Sequence, residues 1–141
     1  MNKFSIAIHG GAGTLVKGMM TTSKEAAYKA SLEASINAGY EILQNGGSAV
    51  DAVEKAVTVL EDSPLFNAGK GSVFTADGAH EMDASIMDGS NKEAGAVGLI
   101  SGIKNPIQLA RKVMDNSEHV FLGGDGAMEF AKSQNVKTVD E

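Results

Sequence analysis

The 141 residues are 43% hydrophobic and 21% charged, a balance that folds, and the net charge of −6 without a Lys/Arg cluster argues against nucleic acid or an anionic membrane as partner. No cysteine is present, which excludes disulfides and thiolate metal sites within this sequence and fits a reducing, cytoplasmic setting. No run approaches the ~20 apolar residues of a membrane span, and the apolar run over residues 4–8 is too short for a signal peptide. Aromatics are 5% and Trp is absent, so the core must come from Ala, Val, Ile, Leu and Met. Glycine occurs 17 times against 2 prolines, which points to tight turns and close backbone approaches rather than a linker.

Residues 4–9 read as a buried strand ending in His9-Gly10-Gly11-Ala12-Gly13, followed by a looser stretch to Met20. Thr22 and Glu25 have capping-box spacing for a long helix whose inner face carries Tyr28, Leu32, Ile36, Gly39 or Tyr40, and Leu43. Asn45-Gly46-Gly47 ends it. Ser48 caps a second helix with apolar positions Ala49, Val53, Ala56 and Leu60, and Pro64 cannot continue it. A loop at 65–70, a short strand at 72–75 and an Asp77-Gly78 turn come next. Strands are predicted at 80–87 and 94–101, joined by a turn at 88–91. Asn105-Pro106 opens a helix with Asn as cap, 120–122 is a short strand, and Gly123 to Gly126 leads into a last helix ending near Ser133. Two consecutive helices followed by hairpins suit an α+β arrangement, helices layered on a largely antiparallel sheet, and not a doubly wound one.

The residues offer few self-evident sites. The Gly10, Gly11, Gly13 turn matches neither the dinucleotide nor the triphosphate loop, and a plain tight turn explains it as well as a phosphate cradle does. Gly69-Lys70-Gly71-Ser72 fails the triphosphate pattern too, because Gly71 separates Lys from Ser. The loop after the second helix returns on a helix C-terminus and can aim carbonyl oxygens at a hard cation such as Na⁺. From the residues alone an ordinary water-bound loop is the simpler account. Glu81, Asp83 and Asp88 suggest paired carboxylates, yet structural roles are expected: Asp88 in a turn, Asp83 buried and hydrogen-bonded. Asp125 reads as a helix cap, and His9, His80 and His119 lack ligand spacing.

Taken in order, four segments resemble one family. They are His9-Gly10-Gly11-Ala12-Gly13, the run from Leu60 to Gly71 (LEDSPLFNAGKG), the run from Glu81 to Gly89 (EMDASIMDG), and Ala94-Gly95-Ala96-Val97 followed by Asn105-Pro106. The sequence is similar to the plant-type L-asparaginases, also called isoaspartyl or β-aspartyl peptidases, of the N-terminal-nucleophile hydrolases. The resemblance implies a four-layer αββα sandwich in which residues 1–141 are the α-subunit portion of a single domain completed by a β chain. It implies an autoprocessed amidohydrolase of L-asparagine and β-aspartyl dipeptides, whose nucleophile is the amino-terminal Thr of that β chain. The free α-amine, with a pKa near ~8, serves as its base. Gly13-Thr14 does not match the cleavage junction, and Thr58 and Thr75 are internal. The sequence is therefore expected to be an α chain lacking its tail and its nucleophile.

The same resemblance implies a structural Na⁺ on the main-chain carbonyls of Leu60, Glu61, Ser63, Phe66, Ala68 and Lys70, and no organic cofactor. It makes Asn67 the residue beside the nucleophile, supporting catalysis through its amide, with Gly10 and Gly11 in the processing loop. Substrate contacts are expected from the β chain, in an (αβ)₂ dimer of heterodimers acting on a small amide or dipeptide. A non-catalytic module binding a small or phosphate-bearing ligand at the first glycine loop is the contrasting reading, and a glycosylasparaginase-type relative the nearer one.

Overall fold

A computed structural model describes residues 3–12, 18 and 20–139. Gly13, Thr14 and most of the stretch expected to be loose before Met20 lie outside the described residues. The elements are α1 (Thr22–Gln44), α2 (Ala49–Glu61), a 3-10 turn (Gly69–Gly71), β1 (Met82–Met87), β2 (Ala94–Ile100), α3 (Pro106–Asn116), β3 (Phe121–Gly123) and α4 (Gly124–Ser133). The result is a mixed α/β chain.

Cap chemistry explains both ends of the first helix pair. α1 starts one residue earlier than expected, because Thr21 rather than Thr22 accepts the Lys24 N–H. It ends as Asn45-Gly46-Gly47 predicts. Gly46 takes φ +82°, its N–H reaches the Leu43 carbonyl, and Gly47 N–H reaches Ile42, so both bonds of a Schellman close are made. Ser48 then caps α2 by accepting the Asp51 N–H at 3.0 Å.

The helices cross on small residues. A Cβ on Gly39 would lie 2.8 Å from the Ala52 carbonyl oxygen and 3.3 Å from the Ala56 Cβ, and Ser35 donates to the Ala56 carbonyl at 2.8 Å. Gly39, not Tyr40, therefore fills the position left open in the α1 face. On α2 the buried stripe is Val50, Ala52, Ala56, Leu60 and Glu61; Ala49 and Val53, expected inside, are exposed. The actual stripe is still helical in period but rotated toward α1 and α3.

Strand β1 pairs antiparallel with β2, and β3 adds parallel to β2. The expected strands at 80–87 and 94–101 thus form with trimmed ends, and the sheet is antiparallel only in its hairpin. Met82, Ile86, Val97 and Ile100 join Ile107, Leu109, Ala110 and Val113 of α3 and Ala127 and Ala131 of α4 in one buried cluster. α3 lies directly on β2: a Cβ on Gly95 would overlap the Ala110 carbonyl oxygen and the Met114 backbone nitrogen. The opposite face is open. Leu99 is 65% exposed and Phe121 60%, too much for core side chains. Asp83, expected to be buried, faces this open side, where its Oδ1 accepts the Leu99 N–H at 3.0 Å. Two residues, Gly98 and Leu99, oppose the one residue Asp83, and Leu99 takes φ +52° at this bulge.

Two expected strands do not form. Residues 4–9 make no ladder with any described strand; they run along α1, with Phe4 against Tyr40 at 5.2 Å and Ile6 over Gly39. Residues 72–75 contribute only a single bridge, Phe74 to His80, closed by the Asp77-Gly78 turn. A strand needs a partner edge, which an apolar pattern does not supply.

Replacing Gly95 by Ala is expected to lower stability by about 2 kcal/mol or more, because backbone, not a pliable side chain, fills the space. Denaturant titration of the full-length protein reads this directly. An unchanged midpoint would contradict the seating of α3 on β2.

Candidate functional site at the end of the second helix

Pro64 stops α2, and the chain folds back on the helix end. Asp62 N–H bonds the Thr58 carbonyl and Ser63 N–H the Leu60 carbonyl, closing the last turn. Ala68 N–H then reaches Phe66, and Gly71 N–H reaches Ala68. The return is tight. A Cβ on Gly69, which takes φ +52°, would be 2.5 Å from the Glu61 carbonyl oxygen, and one on Gly71 would overlap the Phe66 carbonyl and approach Pro64. Only glycine fits either position.

The six carbonyls singled out in the sequence therefore belong to one compact loop. Those of Leu60, Phe66 and Ala68 accept backbone hydrogen bonds, while those of Glu61, Ser63 and Lys70 accept none from the described residues. Among the described residues no cluster of three or more His, Asp or Glu side chains has the makings of a metal site. Three main-chain oxygens of the loop, those of Glu61, Ser63 and Lys70, are thus left without a described donor, and oxygen is the donor type a hard cation takes.

Asn67 is exposed at the outer bend of the loop. Its Oδ1 accepts the Val73 N–H at 2.9 Å, pinning the bend, and its Nδ2 donates to no described residue. The glycine turn comes to the same place through Phe66. A Cβ on Gly10 would lie 2.8 Å from Leu32 and 3.3 Å from the Phe66 ring, and that ring meets Tyr28 edge-on at 5.5 Å. The structure thus brings Gly10 against the residue preceding Asn67. Gly11 stands beyond in open space.

A cavity of about 590 Å³ opens on the other side of the loop, with Asp62, Lys70, Ser72, His80, Met82 and Lys104 in its wall. Ser72 Oγ and His80 Nδ1 are 3.0 Å apart there. Neither Asn67 nor Gly10 is part of that wall. His9 and His119 are exposed, and neither lines the cavity. Asp88 makes its expected turn, accepting the Ser90 N–H. Asp125 is not a cap: α4 has Gly123 as its cap residue, with no side-chain bond.

One arrangement was not expected from the sequence. Asn105 stands at the N-cap position of α3, but its side chain makes no cap bond. Its Nδ2 donates to Asp62 Oδ1 at 3.2 Å, and the Ile107 N–H of the first turn is satisfied instead by Glu61 Oε1 at 2.8 Å. Lys104 Nζ lies 2.7 Å from Asp62 Oδ1. Burial pushes the Glu61 carboxyl up to about 7, against the opposing pull of the Ile107 N–H; the Lys104 ammonium holds Asp62 below the usual range. The sequence carried one signal. Glu61 and Asp62 put two carboxylates at a helix C-terminus, where the macrodipole disfavours negative charge, so a partner outside the helix was required.

A mixed α/β chain with a carbonyl-rich helix end, joined through Phe66 to a glycine turn, is an unusual combination, and comparison with known proteins accounts for it. Residues 2–141 match the family described as Asparaginase, and the chain belongs to it. It is 47% identical over 139 residues to an isoaspartyl peptidase of Salmonella typhimurium, covering 99% of this chain and 44% of that protein. It is 52% identical over 139 residues to a plant-type L-asparaginase of Pyrococcus abyssi, covering 96% and 43%. Against an isoaspartyl peptidase/L-asparaginase of Rattus norvegicus it is 51% identical over 132 residues, covering 93% and 38%. The chain thus spans about two fifths of the length of these curated relatives.

Glu61→Ala is expected to cost about 1–3 kcal/mol by stripping the Ile107 N–H of its acceptor, and Asn105→Ala under about 1 kcal/mol. Thermal or denaturant unfolding ranks the two. The reverse order would show that Asn105 is the cap after all.

Proposed function

We propose that this chain is the α-subunit portion of an autoprocessed amidohydrolase that cleaves L-asparagine and β-aspartyl (isoaspartyl) dipeptides. Its nucleophile is the amino-terminal Thr of a β subunit cut from the same precursor. The observation that carries this reading is the end-to-end match to the asparaginase family, with relatives named isoaspartyl peptidase and L-asparaginase. The geometry is compatible with it. Gly10 packs against the ring of Phe66, the residue before Asn67, and the exposed Asn67 Nδ2 donates to no described residue, which suits a group that polarises an incoming carbonyl.

The open sheet face carrying Leu99 and Phe121 supports the finer architecture. In this reading a second sheet from the β subunit covers it, completing a four-layer αββα sandwich, and two such heterodimers form the (αβ)₂ enzyme. A cytoplasmic setting accords with the cysteine-free sequence. Na⁺ is proposed at the main-chain oxygens of Leu60, Glu61, Ser63, Phe66, Ala68 and Lys70. Support comes from the carbonyls of Glu61, Ser63 and Lys70, which accept no backbone hydrogen bond among the described residues, and from the glycines that close over the loop. There the ion acts structurally, fixing the bend that presents Asn67.

Expression of the full reading frame tests the processing step. Two fragments are expected, the smaller beginning with Thr by mass spectrometry, with activity on L-asparagine and a β-aspartyl dipeptide; a single uncleaved, inactive product would sink the reading. Substitutions then isolate Asn67. Asn67→Asp keeps the acceptor for Val73 but removes the free amide, so cleavage or turnover is expected to fall by roughly 10²-fold or more with the fold intact. Normal rates in that variant would remove Asn67 from the site.

Exchange of Na⁺ for choline at constant ionic strength is expected to lower the melting temperature. At a hundredfold excess over the dissociation constant the ion contributes about 2.7 kcal/mol. Identical melting curves in the two salts would count against the cation.

A further inference from the structure

The end of α2 sends two neighbouring side chains to the same segment. Glu61 Oε1 takes the Ile107 N–H at 2.8 Å, and Asp62 Oδ1 takes the Asn105 amide at 3.2 Å and the Lys104 ammonium at 2.7 Å. Glu61 is 2% exposed, so its carboxylate is committed to this contact rather than shared with solvent. The peptide unit between Glu61 and Asp62, whose oxygen is the Glu61 carbonyl, is therefore held at both flanks. That oxygen is the one Gly69 packs against as the loop returns. The anchor is firm, because α3 is itself seated on β2 at Gly95.

We propose that Glu61 is a positioning residue whose carboxylate, clasped by the first turn of α3, sets the direction of its own main-chain carbonyl. Through that carbonyl it orders the cation loop and the Asn67 bend. Asp62 assists by closing the clasp from the other side of the peptide. An ordinary helix cap would stabilise α3 alone. This clasp joins α3 to the loop, so its loss reaches groups that do not touch it. The inference rests on the Na⁺ reading above.

The test uses the full-length precursor and three variants: Glu61→Ala, Glu61→Gln, which keeps an acceptor oxygen for Ile107, and Ser35→Ala, which weakens the α1–α2 crossing away from the loop. Sodium chloride is titrated against choline chloride and the concentration giving half-maximal thermal stabilisation is read. In E61A that concentration is expected to rise roughly ten- to hundredfold, the usual effect of losing an outer-shell partner. E61Q should stay near wild type, and S35A should melt lower without moving it. An E61A half-point equal to wild type, with only the melting temperature lowered as in S35A, would show a plain cap and overturn the proposal. Should the wild-type protein not respond to Na⁺, the cation reading fails, and precursor cleavage decides the clasp. Slower cleavage in E61A than in S35A, restored in E61Q, supports it; equal cleavage in all three overturns it. If E61A does not fold, Glu61→Asp, one methylene too short for Ile107, replaces it with the same outcomes.

Discussion

The chain leaves α2 at Glu61 with its backbone carbonyl unpaired among the described residues, and Pro64 forbids another turn. Helix ends have to be closed by something. Here the closing material is the loop itself, folded back so tightly that Gly69 and Gly71 touch the carbonyls of Glu61 and Phe66. That constraint places Asn67 at the outer bend and Phe66 inside, where its ring meets Tyr28 and the Gly10 turn. A looser exit from α2 would take Phe66 away from the glycine turn.

The same helix end also orders the layer below. α3 begins with Pro106, which cannot donate, and its Ile107 N–H would be buried without a partner but for Glu61. Burying a carboxylate there is unfavourable, as its elevated pKa of about 7 shows. Structures keep such groups when their hydrogen bonds are satisfied, and Oε2 of Glu61 has no protein partner among the described residues. An arrangement that is poor for stability but precise in geometry points to placement rather than strength as its use.

How much of this was legible in the sequence depends on the range of the interaction. Local rules mostly held: Ser48 caps α2, Asn45-Gly46-Gly47 closes α1, and Asp77-Gly78 and Asp88 turn where their side chains and φ preferences require, although Thr22 and Asp125, which also had cap spacing, do not cap. Rules that need a distant partner did not. Residues 4–9 have the composition of a strand yet lie unpaired along α1, and residues 72–75 make one bridge, because pattern reports which side chains want burial and not which edge receives them. Asn105 before Pro106 is a good local cap, but Asp62 claims its amide and Glu61 takes its place. The carbonyl loop illustrates the limit most plainly. Side-chain identity says little about a main-chain donor, so the ordered run from Leu60 to Gly71 suggests a cation loop only through resemblance and not through chemistry.

The sheet bulge extends the same logic to the open face. Asp83 sits in a strand whose alternation puts Met82, Ala84 and Ile86 against the helices, so its carboxylate must face the other way. Burial of that carboxylate was the natural expectation for an acidic residue inside an apolar run. Instead it accepts the N–H of Leu99, stabilising a left-handed backbone that a leucine adopts only under constraint. The bulge brings Gly98 under Phe121 and turns Leu99 outward, so both large side chains project from the uncovered face. A polar side chain thus shapes an apolar surface. That is consistent with a face built to meet another layer, since a face meant only for water would have no use for the strain.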